Sequence, residues 1–124
     1  MRRKNPTLTE QELEIMKIVW EFGAATVRDV YETMLSRRRI AYTTVMTMMK
    51  IMEDKKYLKR RLDGRAYVYE GTRSKKQMIR EMVSEFINRV FNGSAEPLLA
   101  HLVEERRLSE KELKQIAKMI RDNP

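Results

Sequence analysis

"YTTVMTMMKIMEDKKYLKRRLDGRAYVYE", residues 42–70, changes its hydrophobic period midway. At about 100° per residue, Val45, Met48, Met49 and Met52 of its first half share one arc of roughly 100°. Thr43, Thr47 and Lys50 gather on the opposite side with Met46 at their flank, so the spacing predicts a helix with one apolar and one polar face, starting around Tyr42. The second half is two β-rich runs, 57–62 and 66–70, joined by Asp63-Gly64, a dipeptide favoured in two-residue hairpin turns where both positions take positive φ. Slipping the strands by one residue would exchange every side chain between faces, so the wet face of the hairpin stays open at this point.

Helix punctuation upstream is equally explicit. Thr9 and Glu12 have the spacing of a capping box, with Leu8 and Leu13 at the staple positions, which starts a helix near Glu10. Leu13, Met16, Val19 and Trp20 form its apolar stripe and Gly23 closes it. Thr26 opens a second helix carrying Val27, Val30, Met34 and Leu35, which runs into Arg37, Arg38 and Arg39. Three short helices, the third with a polar outer face, followed by a basic hairpin, are the element order of a winged helix-turn-helix. The expected fold class is therefore mainly α with a small β-hairpin, with residues 1–72 as the DNA-binding domain.

The charge distribution agrees. The 124-residue chain carries a formal net charge of +8, and the segment 37–65 alone holds ten basic residues against three acidic ones. An anionic partner follows. In a winged helix the third helix enters the major groove, where lysine donates to guanine acceptors, threonine hydroxyls serve base or phosphate, and an apolar tip meets the thymine methyl. Arg39 at the helix entrance and Tyr42, Thr43, Thr44, Met46, Thr47 and Lys50 of the helix are the candidates for DNA contact, joined by Arg60, Arg61, Arg65 and Tyr67 of the hairpin. Arginines contribute affinity through phosphates without reading sequence. The bland alternative for the threonine face is a solvated helix surface. A soft-metal site built from the clustered methionines is the other alternative, but a methionine stripe at helical period is far more often packing.

Beyond residue 72 the pattern is helical throughout. Ser74 and Gln77 can cap a helix carrying Met78, Ile79, Met82, Val83, Phe86, Ile87, Val90 and Phe91, stopped by Asn92-Gly93. Those are eight apolar residues in fourteen, where one amphipathic stripe needs only about three or four per two turns. Pro97 falls in the first turn of the next helix with Leu98, Leu99, Leu102 and Val103. Ser109 with Glu112, stapled by Leu108 and Leu113, caps a last helix ending near Arg121. Three helices of this size bury too little to be self-sufficient. Residues 73–124 are therefore expected to form a helical dimerisation domain, with Met82, Phe86, Ile87, Val90, Leu98, Leu99, Leu102 and Ile116 lining or supporting a homodimer interface. A two-fold dimer would present two recognition helices to two half-sites.

Other classes fare badly. There is no apolar run long enough to span a bilayer or serve as a signal peptide, so a soluble cytoplasmic protein without membrane insertion is expected. Cysteine is absent, which removes disulfides, thiolate ligands and thiol nucleophiles. No glycine-rich phosphate loop is present and no hydroxyl has an obvious base partner, so no enzyme and no cofactor are expected. His101 is the single histidine; with Glu104 and Glu105 it could form a partial metal site, but beside Leu99 and Leu102 it reads as a packed or surface residue. A basic architectural protein that binds nucleic acid without sequence preference is the competing function, and it would lack the roughly 10³-fold or greater preference for one site that a specific repressor shows.

"LTEQELEIMKIVWEFGAATVRDVYETM" followed by "YTTVMTMMKIMEDKKYLKRRLDGRAYVYEGTRSKKQM" resembles the penicillinase-repressor family, the BlaI/MecI-like bacterial transcriptional repressors, from about Leu8 to the last helix. The resemblance implies a dimeric winged-helix repressor on a double-stranded DNA dyad operator controlling antibiotic-resistance or stress genes. It further implies release by a membrane sensor protease that cuts within the dimerisation region, at the bond matching His101-Leu102, where members with this switch carry Asn-Phe. Two departures stand out: Lys56 follows Lys55 where the family commonly has glycine after the recognition helix, and Met46 stands where members often carry a long polar residue. The cysteine-bearing tail of the copper-responsive members is absent.

Overall fold

The computed structural model describes residues 8–105 and 109–122. The chain divides into two compact units, Met1–Ile79 and Arg80–Pro124. Its elements run α1 (Glu10–Phe22), α2 (Val27–Leu35), α3 (Tyr42–Asp54), β1 (Leu58–Asp63), β2 (Ala66–Gly71), α4 (Lys75–Phe91), α5 (Glu96–Glu104) and α6 (Glu110–Asp122). Helices followed by an antiparallel hairpin and further helices make this a winged helix-turn-helix with a helical C-terminal part. Among the described residues no helix is long and apolar enough to cross a membrane.

Local capping sets the first two helices. Thr9 accepts from the Glu12 amide while Glu12 accepts from the Thr9 amide. Thr26 and Asp29 repeat the reciprocal pair at α2. Each box satisfies amides that have no partner inside the helix. The core of the first unit is drawn from all three helices and the hairpin: Ile15, Met16, Ile18 and Val19 from α1, Val30 and Met34 from α2, Val45, Met49 and Met52 from α3, with Leu58 of β1 and Val68 of β2. In α1 this corrects the expected stripe, because Ile15 and Ile18 are buried while Leu13 and Trp20 are only half-buried. A helix bearing apolar residues on several sides leaves its phase to the packing, and α1 lies against α2, α3 and β2. Val27 is half-buried and Leu35 is exposed, so α2 anchors through Val30 and Met34.

The hairpin differs from expectation by one position. Asp63 pairs with Ala66, which makes Gly64-Arg65 the two-residue turn instead of Asp63-Gly64. Positive φ is needed only at Gly64, at +70°, the requirement of a II′ turn and not of the I′ turn for which both positions are left-handed. The backbone of Ala25 adds a one-residue third strand, exchanging hydrogen bonds with Tyr69 at 3.0 and 2.8 Å. At the base of β2, Gly71 faces the indole of Trp20, whose Nε1 donates to the Arg73 carbonyl at 3.1 Å.

In the C-terminal part, Ser74 with Gln77 and Ser109 with Glu112 form the expected capping pairs. Asn92 and Gly93 both take positive φ after α4, and Pro97 sits in the first turn of α5. Leu108, the expected staple partner, lies outside the described residues.

Candidate nucleic-acid interface

Helix α3 is anchored through its apolar face. Val45, Met49 and Met52 are fully buried, and Met48 is half-buried. Thr43, Met46, Thr47 and Lys50, spaced i, i+3, i+4 and i+7, are all exposed and form one continuous stripe, with Thr44 exposed beside it. The four clustered methionines thus divide as a packed set plus Met46, which is 45% exposed.

Both ends of α3 are held by side chains from elsewhere. At the N-terminus, where Ala41 offers no side-chain cap, the Tyr42 ring meets Tyr31 edge-on with centroids 5.4 Å apart and lies 5.7 Å from the Arg28 guanidinium. At the C-terminus, Lys56 and Tyr57 amides donate to the Glu53 and Met52 carbonyls at 3.0 and 2.9 Å. This is a Schellman closure, and Lys56 occupies its left-handed position at φ +72°. The departure from glycine seen in the sequence therefore leaves the helix end intact and places a lysine in a conformation that favours glycine. Glu12 links the start of α1 to the end of α3: one carboxylate oxygen completes the α1 cap and the other accepts from Lys55 Nζ at 2.9 Å. Burial opposes ionisation of Glu12, but the Thr9 amide and the Lys55 ammonium outweigh it and hold its pKa below the ordinary 4.5.

The basic residues separate into two groups. Arg37 and Arg38 both pair with Glu14 of α1, Arg60 pairs with Glu53 at 3.3 Å, and Arg61 pairs with Glu70 at 2.9 Å. Arg60 also lies 4.3 Å over the Tyr67 ring; a hydrogen bond to Tyr69 and then the Glu53 charge push its pKa above the ordinary value. Arg39, Lys50, Lys56, Lys59 and Arg65 have no carboxylate partner among the described residues. The wing register puts Leu58, Arg60 and Leu62 on one face with Tyr69 and Tyr67, and Lys59 and Arg61 on the other with Glu70 and Val68. Arg65 stands at the tip, and Tyr67 and Leu62 near it are exposed. The carboxylates Glu12, Glu14, Glu53 and Glu70 were not legible as partners in the sequence, since their contacts span between 7 and 43 residues with no periodic signal.

In the C-terminal part, Phe86 and Val90 are exposed, while Met82, Ile87, Leu98, Leu99, Leu102 and Ile116 are half-buried. The Phe86 and Phe91 rings meet edge-on at 5.8 Å. His101 is exposed on α5, and its carbonyl accepts from the Glu105 amide at 3.0 Å. No group of three His, Asp or Glu side chains gathers there or elsewhere among the described residues in a way that could hold a metal.

A family model described as penicillinase repressor matches residues 8–122. The chain is 23% identical over 121 residues to the penicillinase repressor of Bacillus licheniformis, covering 98% of this chain and 94% of that protein. It is 22% identical over 120 residues to the methicillin resistance regulatory protein MecI of Mammaliicoccus sciuri, covering 97% and 98%. It is 31% identical over 99 residues to the transcriptional regulator BlaI of Mycobacterium tuberculosis, covering 78% and 72%.

Proposed function

The chain belongs to the penicillinase repressor family, and from that premise we propose that it acts as a homodimer on a dyad DNA operator in front of antibiotic-resistance or stress genes. The family consists of transcriptional repressors, not enzymes. The observation that carries the specific reading is the exposed stripe Thr43, Met46, Thr47 and Lys50 on a helix whose opposite face is locked in the core. Side chains presented this rigidly can discriminate base edges.

In this reading residues 1–72 bind DNA and residues 73–124 dimerise through Phe86, Val90 and the half-buried leucines. Thr43, Thr44, Met46, Thr47 and Lys50 face the major groove, with Tyr42 and Arg39 at the helix entrance. Arg65 at the wing tip takes a phosphate. Arg60 and Arg61 exchange Glu53 and Glu70 for phosphate, which gives them a smaller net gain. Release follows cleavage at His101-Leu102 by a membrane sensor protease; the bond lies inside hydrogen-bonded α5, so the helix must open locally first.

Selection from randomised duplexes, followed by gel shifts on the winning sequence, tests the reading. Thr47→Ala should change the preferred base, and Arg65→Ala should weaken all sequences alike and reduce the salt slope by about one. Equal weakening of every sequence by both substitutions would instead mark a nonspecific binder. Following the protein's mass in cells treated with cell-wall antibiotics tests release, and intact protein during induction rules out cleavage as the trigger.

A further inference from the structure

Ten methionines occur in the chain. Met16, Met34, Met49, Met52 and Met78 are at most 2% exposed; Met48 and Met82 are half-buried. Among the eight methionines whose side chains are described Met46 alone is exposed, at 45%, and it sits within the stripe Thr43, Thr47 and Lys50. Oxidation of a thioether requires that the oxidant reach sulfur, so packing shields the core set and leaves Met46 open. The most exposed of these eight thioether side chains is therefore also the one placed among the proposed base-reading side chains.

We propose that Met46 is an oxidative modification site that makes operator binding sensitive to peroxide. The inference rests on the assignment of the α3 stripe as the base-reading surface. The sulfur lone pair attacks one oxygen of hydrogen peroxide, the O–O bond breaks, and the other oxygen departs as water after a proton shift. Sulfur is oxidised by two electrons to the sulfoxide and the peroxide is reduced. An apolar tip suited to a thymine methyl becomes a polar, chiral group with a strong acceptor oxygen. Against a methyl that oxygen is desolvated without a donor, and against phosphate it is repelled. Bound DNA would cover the same sulfur, so oxidation acts on the free repressor. Methionine sulfoxide reductases, one for each epimer, reverse the change.

The experiment uses the full chain, a duplex selected from randomised DNA, and graded hydrogen peroxide, with peptide mapping of each methionine. Met46 sulfoxide should form ahead of Met16, Met34, Met49 and Met52 and be suppressed by saturating duplex. Affinity should fall roughly tenfold or more, the scale of a mismatched base contact, and return after treatment with both reductases. Met46→Leu, whatever its starting affinity, should hold that affinity through the same dose. Equal loss in wild type and Met46→Leu overturns the proposal, as does full conversion of Met46 with affinity unchanged. Met46 oxidising equally fast with and without saturating duplex overturns the α3 face as the DNA surface itself, a different failure from protection without an effect on affinity.

Discussion

In α3 the apolar side chains Val45, Met49 and Met52 are fully buried within the chain's own fold, whereas in α4 Val83, Phe86 and Val90 are each between 39 and 50% exposed. Both helices are rich in apolar residues, and α5 buries none of its nine residues fully. The difference lies in what surrounds them. In the first unit α3 has two other helices and a hairpin to close its core, while the second unit has helices alone among its described residues, with more apolar surface than they cover. Fully burying a valine or phenylalanine contributes about 1.5–3 kcal/mol, so the second unit holds unused stabilisation, which the proposed dimer would draw on. In the proposed reading, recognition and assembly would rest on opposite uses of the same residue types.

The largest test of that contrast introduces charge into the exposed set. Phe86→Glu should leave a monomer by analytical ultracentrifugation with the first unit still folded, and should weaken binding to a two-half-site duplex by about 10²–10⁴, the loss of tethered avidity. A monomeric wild type at micromolar concentration would break the comparison outright. Gly71→Ala tests the closed core instead. The added Cβ would lie 2.8 Å from Trp20 Nε1, 3.0 Å from the Arg73 carbonyl and 3.2 Å from Met16 Cε, which should cost about 1–3 kcal/mol of stability. Trp20 is the single tryptophan, so urea unfolding followed by its fluorescence reads both the midpoint and the displaced indole.

Glu12→Gln should destabilise the first unit by about 1 kcal/mol at neutral pH by removing the charge-assisted link to Lys55. Because the folded pKa of Glu12 lies below its ordinary 4.5, the stabilisation is present above that value and is lost as pH falls through the folded pKa. The gap between wild type and variant should therefore close in acid, and a gap constant down to pH 2 would contradict the assignment. The smallest effect has the opposite sign. Lys56→Gly relieves a left-handed lysine, worth about 1–2 kcal/mol, against about 0.5–1 kcal/mol for the added backbone freedom. A rise of a few degrees in the thermal midpoint is expected; a fall would mean that the Lys56 side chain makes a stabilising contact.

What the sequence revealed follows from how local the cause is. Thr9, Thr26, Ser74 and Ser109 announce helix starts because each cap is completed three residues away. The polar stripe of α3 was legible because its apolar face has a clear period. The phase of α1 was not, since Ile15 and Ile18 compete with Leu13 and Trp20 and only the neighbouring elements decide. The Asp63-Gly64 turn was misplaced by one because register is set by pairing along both strands, including the Ala25 contact with Tyr69. The Glu12–Lys55 link depends on residues 43 positions apart, a separation at which spacing rules say nothing.

Half of the ten basic residues between 37 and 65, namely Arg37, Arg38, Lys55, Arg60 and Arg61, already carry a carboxylate of the same chain. The formal charge therefore overstates how strongly the molecule is drawn to any stretch of DNA. Every such stretch is a decoy for a regulator searching a genome, and residence on decoys grows steeply with the number of phosphates neutralised, at about 0.9 in the salt slope for each. In the proposed reading Glu14, Glu53 and Glu70 would be resident counterions that shorten each stop, leaving more of the search time for the sites where the threonine stripe would find its bases.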